Sequence, residues 1–197
     1  MNFQPKKSNY KNAPPEQLDM FLDFQQNHPY ATVDCQGHQL QYIATGTGET
    51  TLLFLHGALV RPDMWFYPIL ALEQNFRIIV PLFEPQHMGA QEAATFIRAI
   101  FAQEQITQAV VIGYSYGGGV AQYLSETQPE LIEKLVLTHT GIVGRADAMD
   151  QVEKARKMIR LLPFFLTKKK LKDRITDVPR SKWNEFHQAY FLELNAA

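Results

Sequence analysis

Residues 109–124 read AVVIGYSYGGGVAQYL, an apolar run that passes through a glycine-flanked serine directly into a helical pattern. The core of the segment, Gly113-Tyr114-Ser115-Tyr116-Gly117, is a G-x-S-x-G set between a buried strand and a helix. So tight a turn lifts the serine hydroxyl clear of the strand's carboxyl end, at a backbone angle that side chains resist. Glycines two positions to either side let strand and helix approach where a Cβ would clash. The helix aims its first N–H groups at the serine and favours negative charge developing there. The rest of the chain has to supply a sheet around this turn.

The surrounding pattern does so. Pro14-Pro15-Glu16 opens a helix whose apolar stripe is Leu18, Phe21, Leu22 and Phe24, and His28-Pro29 closes it. ATVDCQG and HQLQYIATG, meeting near Gly37, predict an antiparallel hairpin. Thr51–Leu55 (TLLFL) and Phe76–Leu82 (FRIIVPL) predict strands buried on both faces. Helical spacing runs from Pro62-Asp63 through Trp65, Ile69 and Leu72, from Ala93 to Gln105, and from Gly118 to Thr127. Ala109–Ile112 and Leu135–Thr138 (LVLT) complete six strands, two of antiparallel type followed by four parallel ones. Strands alternating with helices call for a mainly parallel, doubly wound α/β sheet. Beyond Gly144 only helical spacing remains, through Met149, Val152, Met158, Ile159 and Leu162, and again through Trp183, Phe186, Tyr190, Phe191 and Leu194.

Charge marks an internal boundary at the same place. Residues 1–144 carry a net charge of −6 and residues 145–182 a net of +7, although the whole chain sums to −1. That balance gives no global drive toward nucleic acid or acidic lipid. With 197 residues the chain buries a core without disulfide or metal help, and its one cysteine, Cys35, excludes a disulfide framework or a cysteine-cluster zinc site. The N-terminus lacks an apolar signal region and no apolar run approaches a membrane span, so the chain reads as soluble and cytoplasmic. The organisation expected is an N-terminal helical extension (1–29), a sheet-bearing core (30–144) and a helical segment (145–197).

A second motif supports the serine turn. Leu53-Phe54-Leu55-His56-Gly57-Ala58-Leu59 ends a buried strand in His-Gly and turns toward a helix. A loop there sits beside the serine and supplies a backbone donor for an oxyanion, which assigns that role to the N–H groups of Tyr116 and Ala58. His56 reads as a residue that orients this loop and not as a base.

From about residue 30 to about 145 the chain resembles the α/β-hydrolase superfamily in its HG strand end, its G-x-S-x-G and its LVLTHTG strand. Within it, FRIIVPLFEP, GYSYGG and RLLPFFLTKKKLKDRI are similar to maspardin and its bacterial relatives. The resemblance implies a serine hydrolase acting on a small-molecule carboxylic ester or related acyl substrate through an acyl-enzyme on Ser115. It implies a helical cap after the LVLT strand, and no metal or organic cofactor. Leu59, Tyr114 and Trp65 would then belong to an apolar acyl site. A serine where related families carry a carboxylate argues against haloalkane or epoxide chemistry.

In that fold the acid and the base follow the serine on later strands. No later strand is present, so the sheet reads as C-terminally incomplete and the cap as truncated, a fragment of a longer hydrolase. His139, at the end of the LVLT strand, is the base candidate; His187 reads as a packed helical histidine and Asp147, Asp150 and Asp177 as surface carboxylates. Phe83-Glu84-Pro85 stands where many members carry an aspartate and a glycine-rich turn. Exposed sheet edges are expected to favour self-association or a complementing chain. The rival reading is a non-catalytic binding or scaffold protein with a vestigial serine turn.

Overall fold

TLLFL forms β3 (Thr51–Leu55), buried at all five positions, as a run with no polar face requires of an interior strand. The computed structural model describes residues 3–58, 60–84, 88–141 and 182–194. β3 pairs in parallel with β4 (Arg77–Pro81) on one side and β5 (Ala109–Tyr114) on the other. β6 (Ile132–Thr138) extends the sheet in parallel beyond β5. The predicted hairpin is present as β1 (Ala31–Cys35) and β2 (His38–Thr45), turning at Gln36-Gly37, both with positive φ. β2 continues antiparallel onto β4, which gives the order β1-β2-β4-β3-β5-β6.

Four helices belong with these strands or precede them: α1 (Pro15–Asn27), α2 (Phe66–Leu72), α3 (Ala90–Gln103) and α4 (Tyr116–Thr127). α3 and α4 pack on one face of the sheet, where Leu53, Leu55, Ile79 and Val111 meet Phe96, Ile97 and Val120. The alternate residues Leu52, Phe54, Ile78 and Val80 are buried as well, so the central strands are covered on both faces. Several boundaries differ from the periodicity, among them β6, which starts at Ile132, three residues before the expected LVLT run, and β5, which runs on to Tyr114. α3 starts at Ala90, three residues before the expected Ala93, because its first turn, Ala-Gln-Glu, carries no large apolar residue to mark the helix. α4 starts at Tyr116 instead of Gly118, directly after the serine. The expected helix at Pro62 opens as a 3-10 turn, Pro62–Trp65, before α2.

The described chain falls into two compact units. The sheet and α2–α4 form one. The other holds α1, the short turn Lys7–Tyr10 and α5 (Lys182–Leu194). There the apolar stripe of α1 finds its partner: Phe21, fully buried, lies 5.5 Å from the rings of both Phe186 and Tyr190, and Tyr10 lies 5.3 Å from Phe186. The two Phe21 pairs are edge-to-face and the Tyr10 pair is tilted, and aromatic pairs at such spacing add to burial. The Lys6 backbone N–H donates to the Glu193 carboxylate at 2.7 Å. Among the described residues no helix is long and apolar enough to cross a membrane.

Candidate active site

Ser115 stands at φ +51° and ψ −115° between the last residue of β5 and the first of α4, and it is exposed. Its N–H donates to the Thr138 carbonyl at 3.2 Å, and its own carbonyl accepts from Gly118 and Gly119 at 3.0 and 3.2 Å. The backbone of the serine is thus fixed from β6 on one side and α4 on the other, while its side chain is left outside. The flanking glycines are demanded by space. A Cβ on Gly113 would stand 2.7 Å from Gly118 Cα, and one on Gly117 only 2.1 Å from the Leu55 carbonyl oxygen.

A side chain at such a φ stores backbone strain on the order of 1–3 kcal/mol. Ser115→Gly is therefore expected to raise stability by about 1 kcal/mol after the extra chain entropy of glycine is offset. A urea midpoint at unchanged slope checks this; a lower midpoint for the glycine variant would mean that the angle is not strained.

The adjacent loop is held by His56, which is completely buried. Its Nε2 accepts from the Phe83 N–H at 2.9 Å, so the proton belongs on Nδ1, which donates to the Gly57 carbonyl at 2.8 Å. Burial pulls the imidazole down to about 4, the Arg61 charge acts in the same direction and the Gly57 carbonyl opposes both. A neutral histidine with both nitrogens engaged ties the end of β3 to the segment after β4. It fills the orienting role expected of it and has no nitrogen left to act as a base.

Tyr116 joins the same assembly. Its hydroxyl donates to the Met88 carbonyl at 2.7 Å, and its ring lies 5.9 Å from Phe83, itself 5.3 Å from the His56 ring. Ala58 occupies the turn after His56-Gly57, half-buried. The Tyr114 ring packs against Gly57, where an added Cβ would stand 3.0 Å away. Trp65 lies 6.4 Å from Tyr114, and His139 lies 5.6 Å from Tyr114 on its own account. The structure therefore brings Ser115, Tyr114, Tyr116, Trp65 and His139 to the carboxyl end of the central strands.

His139 follows β6, is exposed, and holds φ +49°. His187 is half-buried on α5, in the other unit. Leu59, Asp147, Asp150 and Asp177 lie outside the described residues. Sequence reasoning did not find the Phe83 and Met88 backbone partners, because a main-chain bond leaves no trace in residue type. Among the described residues, no group of three or more His, Cys, Asp or Glu side chains comes together as a metal site.

Comparison with known proteins agrees with this fold. Over 102 residues the chain is 32% identical to a pimeloyl-[acyl-carrier protein] methyl ester esterase of Yersinia pseudotuberculosis, covering 50% of this chain and 39% of that protein. Over 130 residues it is 28% identical to the dihydrolipoyllysine-residue acetyltransferase component of an acetoin cleaving system of Cupriavidus necator, covering 61% of this chain and 34% of that protein. The chain thus spans well under half the length of these relatives. The crystal structure of the epoxide hydrolase VrEH1 from Vigna radiata superposes with a TM-score of 0.64 at 18% identity, over 87% of this chain and 73% of that one, which shows a shared fold. The family model for the alpha/beta hydrolase fold matches residues 84–197. With its parallel central sheet and its serine turn between β5 and α4, the chain belongs to the α/β-hydrolase fold family.

Proposed function

We propose that this chain carries the nucleophile of a serine hydrolase that cleaves carboxylic esters or related acyl compounds. The observation that carries the reading is Ser115 itself, exposed at φ +51° at the N-terminus of a twelve-residue helix. Strain of this kind is retained where a side chain has to be presented.

Ser115 Oγ attacks the carbonyl carbon and its proton passes to a base. The oxyanion of the tetrahedral intermediate is held by the N–H groups of Tyr116, at the first turn of α4, and of Ala58. The C–O bond then breaks, the alcohol leaves with the proton, and water hydrolyses the acyl-serine to restore the hydroxyl. Among the described histidines His56 is already engaged, and His139 is the one that shares Tyr114 with the serine turn, so it takes the role of base. Tyr114 and Trp65 line the acyl side. The esterase relative supports an ester substrate. β6 is the edge on which a second copy or a complementing chain would pair, since Leu135, Val136 and Leu137 are 37–44% exposed along it.

Intact-mass spectrometry after incubation with a fluorophosphonate tests the reading on wild type and Ser115→Ala. One adduct per chain on wild type and none on the variant is the expected result. No adduct on folded wild type would mean that no base reaches Ser115, and the chain would then be a binding protein on a hydrolase fold.

A further inference from the structure

In the chain Ala58 stands between His56 and Arg61, and of these two His56 is fixed by its bonds to Gly57 and Phe83. The Arg61 guanidinium carbon lies 5.6 Å from the centre of the Tyr30 ring, the geometry of a cation–π contact. Two residues on, Asp63 is only 2% exposed. A carboxyl so deeply buried has to be hydrogen-bonded, paired with a cation or held neutral. Arg61 and Asp63 share the surroundings of one phenol: burial pushes Tyr30 up, Asp63 adds to that push and Arg61 opposes it. The Arg61 charge is also felt at the fully buried His56 ring. Ala58 is three residues from Arg61, hence within about 11 Å at 3.8 Å per Cα step. Across a partly desolvated loop a charge at that range is not fully screened.

The geometry points to Arg61 as a positioning residue for the oxyanion loop, its planar guanidinium laid over Tyr30 in the same buried surroundings as Asp63. From there it fixes the end of segment 57–61 and keeps a positive potential at the Ala58 N–H. This rests on the acyl chemistry proposed for Ser115, with Ala58 as an oxyanion donor. Lysine keeps the charge but loses the flat, forked head, and methionine loses both. The two substitutions therefore separate electrostatics from shape.

The experiment measures the acylation rate of Ser115 with a chromogenic p-nitrophenyl ester, and hydrogen exchange of the peptide spanning residues 56–61, on wild type, Arg61→Lys and Arg61→Met. The expected result is an acylation rate reduced about threefold in the lysine variant and tenfold or more in the methionine variant. KM should stay within about twofold, and loop exchange should rise about tenfold in the methionine variant only. An Arg61→Met protein acylated at the wild-type rate overturns the inference, as does a change confined to KM. If that variant does not fold, Arg61→Lys decides alone, and wild-type acylation together with wild-type loop exchange overturns it. If wild type itself is not acylated, the reading of Ser115 fails and exchange decides what remains. Faster exchange in Arg61→Met then supports the brace, and unchanged exchange removes it.

Discussion

Gly117→Ala is expected to lose at least about 3 kcal/mol of stability, enough to leave a large unfolded fraction in a domain of ordinary margin. The cause lies outside the helix. An added Cβ would stand 2.1 Å from the Leu55 carbonyl oxygen, 2.4 Å from its carbon and 2.8 Å from the His56 carbonyl oxygen. All three are backbone atoms, two in the strand that holds the middle of the sheet, and none can rotate away as a side chain would. Relief requires α4 to lift from β3, which unpacks Val120, Ala121 and Leu124. It also displaces His56 and, through it, the Ala58 turn, so whatever protein folds should carry a poorly reactive Ser115. Gly37→Ala provides the comparison, since Gly37 has φ +83° but no atom within 4 Å of an added Cβ. That change costs only the local backbone preference, about 1 kcal/mol. Urea unfolding of both variants followed by circular dichroism measures the gap; equal midpoints would show that the close approach at Gly117 is not a constraint.

The same contrast explains what was legible in the sequence. Gly113, Ser115 and Gly117 were readable because one local segment specifies strand, turn and helix together; the steric reason for Gly113 lies within that segment, at Gly118 and Ala121, whereas that for Gly117 is the distant backbone of Leu55 and His56. The β1–β2 hairpin was readable for the same reason, with its turn residues and its alternation adjacent in sequence. The neighbour of β2 was not, because pairing to β4 crosses β3 and depends on how the whole sheet is wound. The stripe on α1 announced that a partner exists but not that Phe186 and Tyr190, some 160 residues away, would supply it. β6 stands at the edge of the sheet with Leu135, Val136 and Leu137 exposed, one of the exposed edges the sequence led one to expect. At the site, Ser115 was identifiable by its motif, whereas the means of holding the loop beside it was not. The bond from Phe83 N–H to His56 joins positions 27 apart through a main-chain donor that any residue would provide.

The burial of His56 makes acid the second large perturbation, and the protein is expected to lose about 3 kcal/mol of stability between pH 7 and pH 4 through His56 alone. An unfolded histidine takes up a proton near pH 6.5. In the folded chain the same ring is held down to about 4, chiefly by burial. Above pH 6.5 neither state binds the proton and the contribution is complete. As the pH falls below 6.5 the unfolded chain gains a proton that the native ring refuses, and stability drops by about 1.4 kcal/mol per unit until the native ring titrates as well. Protonation would put a second N–H on Nε2 facing the Phe83 N–H, two donors with no acceptor between them, and the clamp would open. His56→Gln removes the titration. It should be less stable at pH 7, by about 1–3 kcal/mol for a disrupted buried bond, but its stability should fall less steeply with acid. Urea midpoints for both proteins across this range decide the matter, and parallel pH profiles would show that His56 is not the group responsible. If the profiles diverge as expected, fluorophosphonate labelling of Ser115 should weaken over the same interval in wild type. The ring that resists protonation is also the one that holds Gly57, whose added Cβ would stand 3.5 Å from that of the serine.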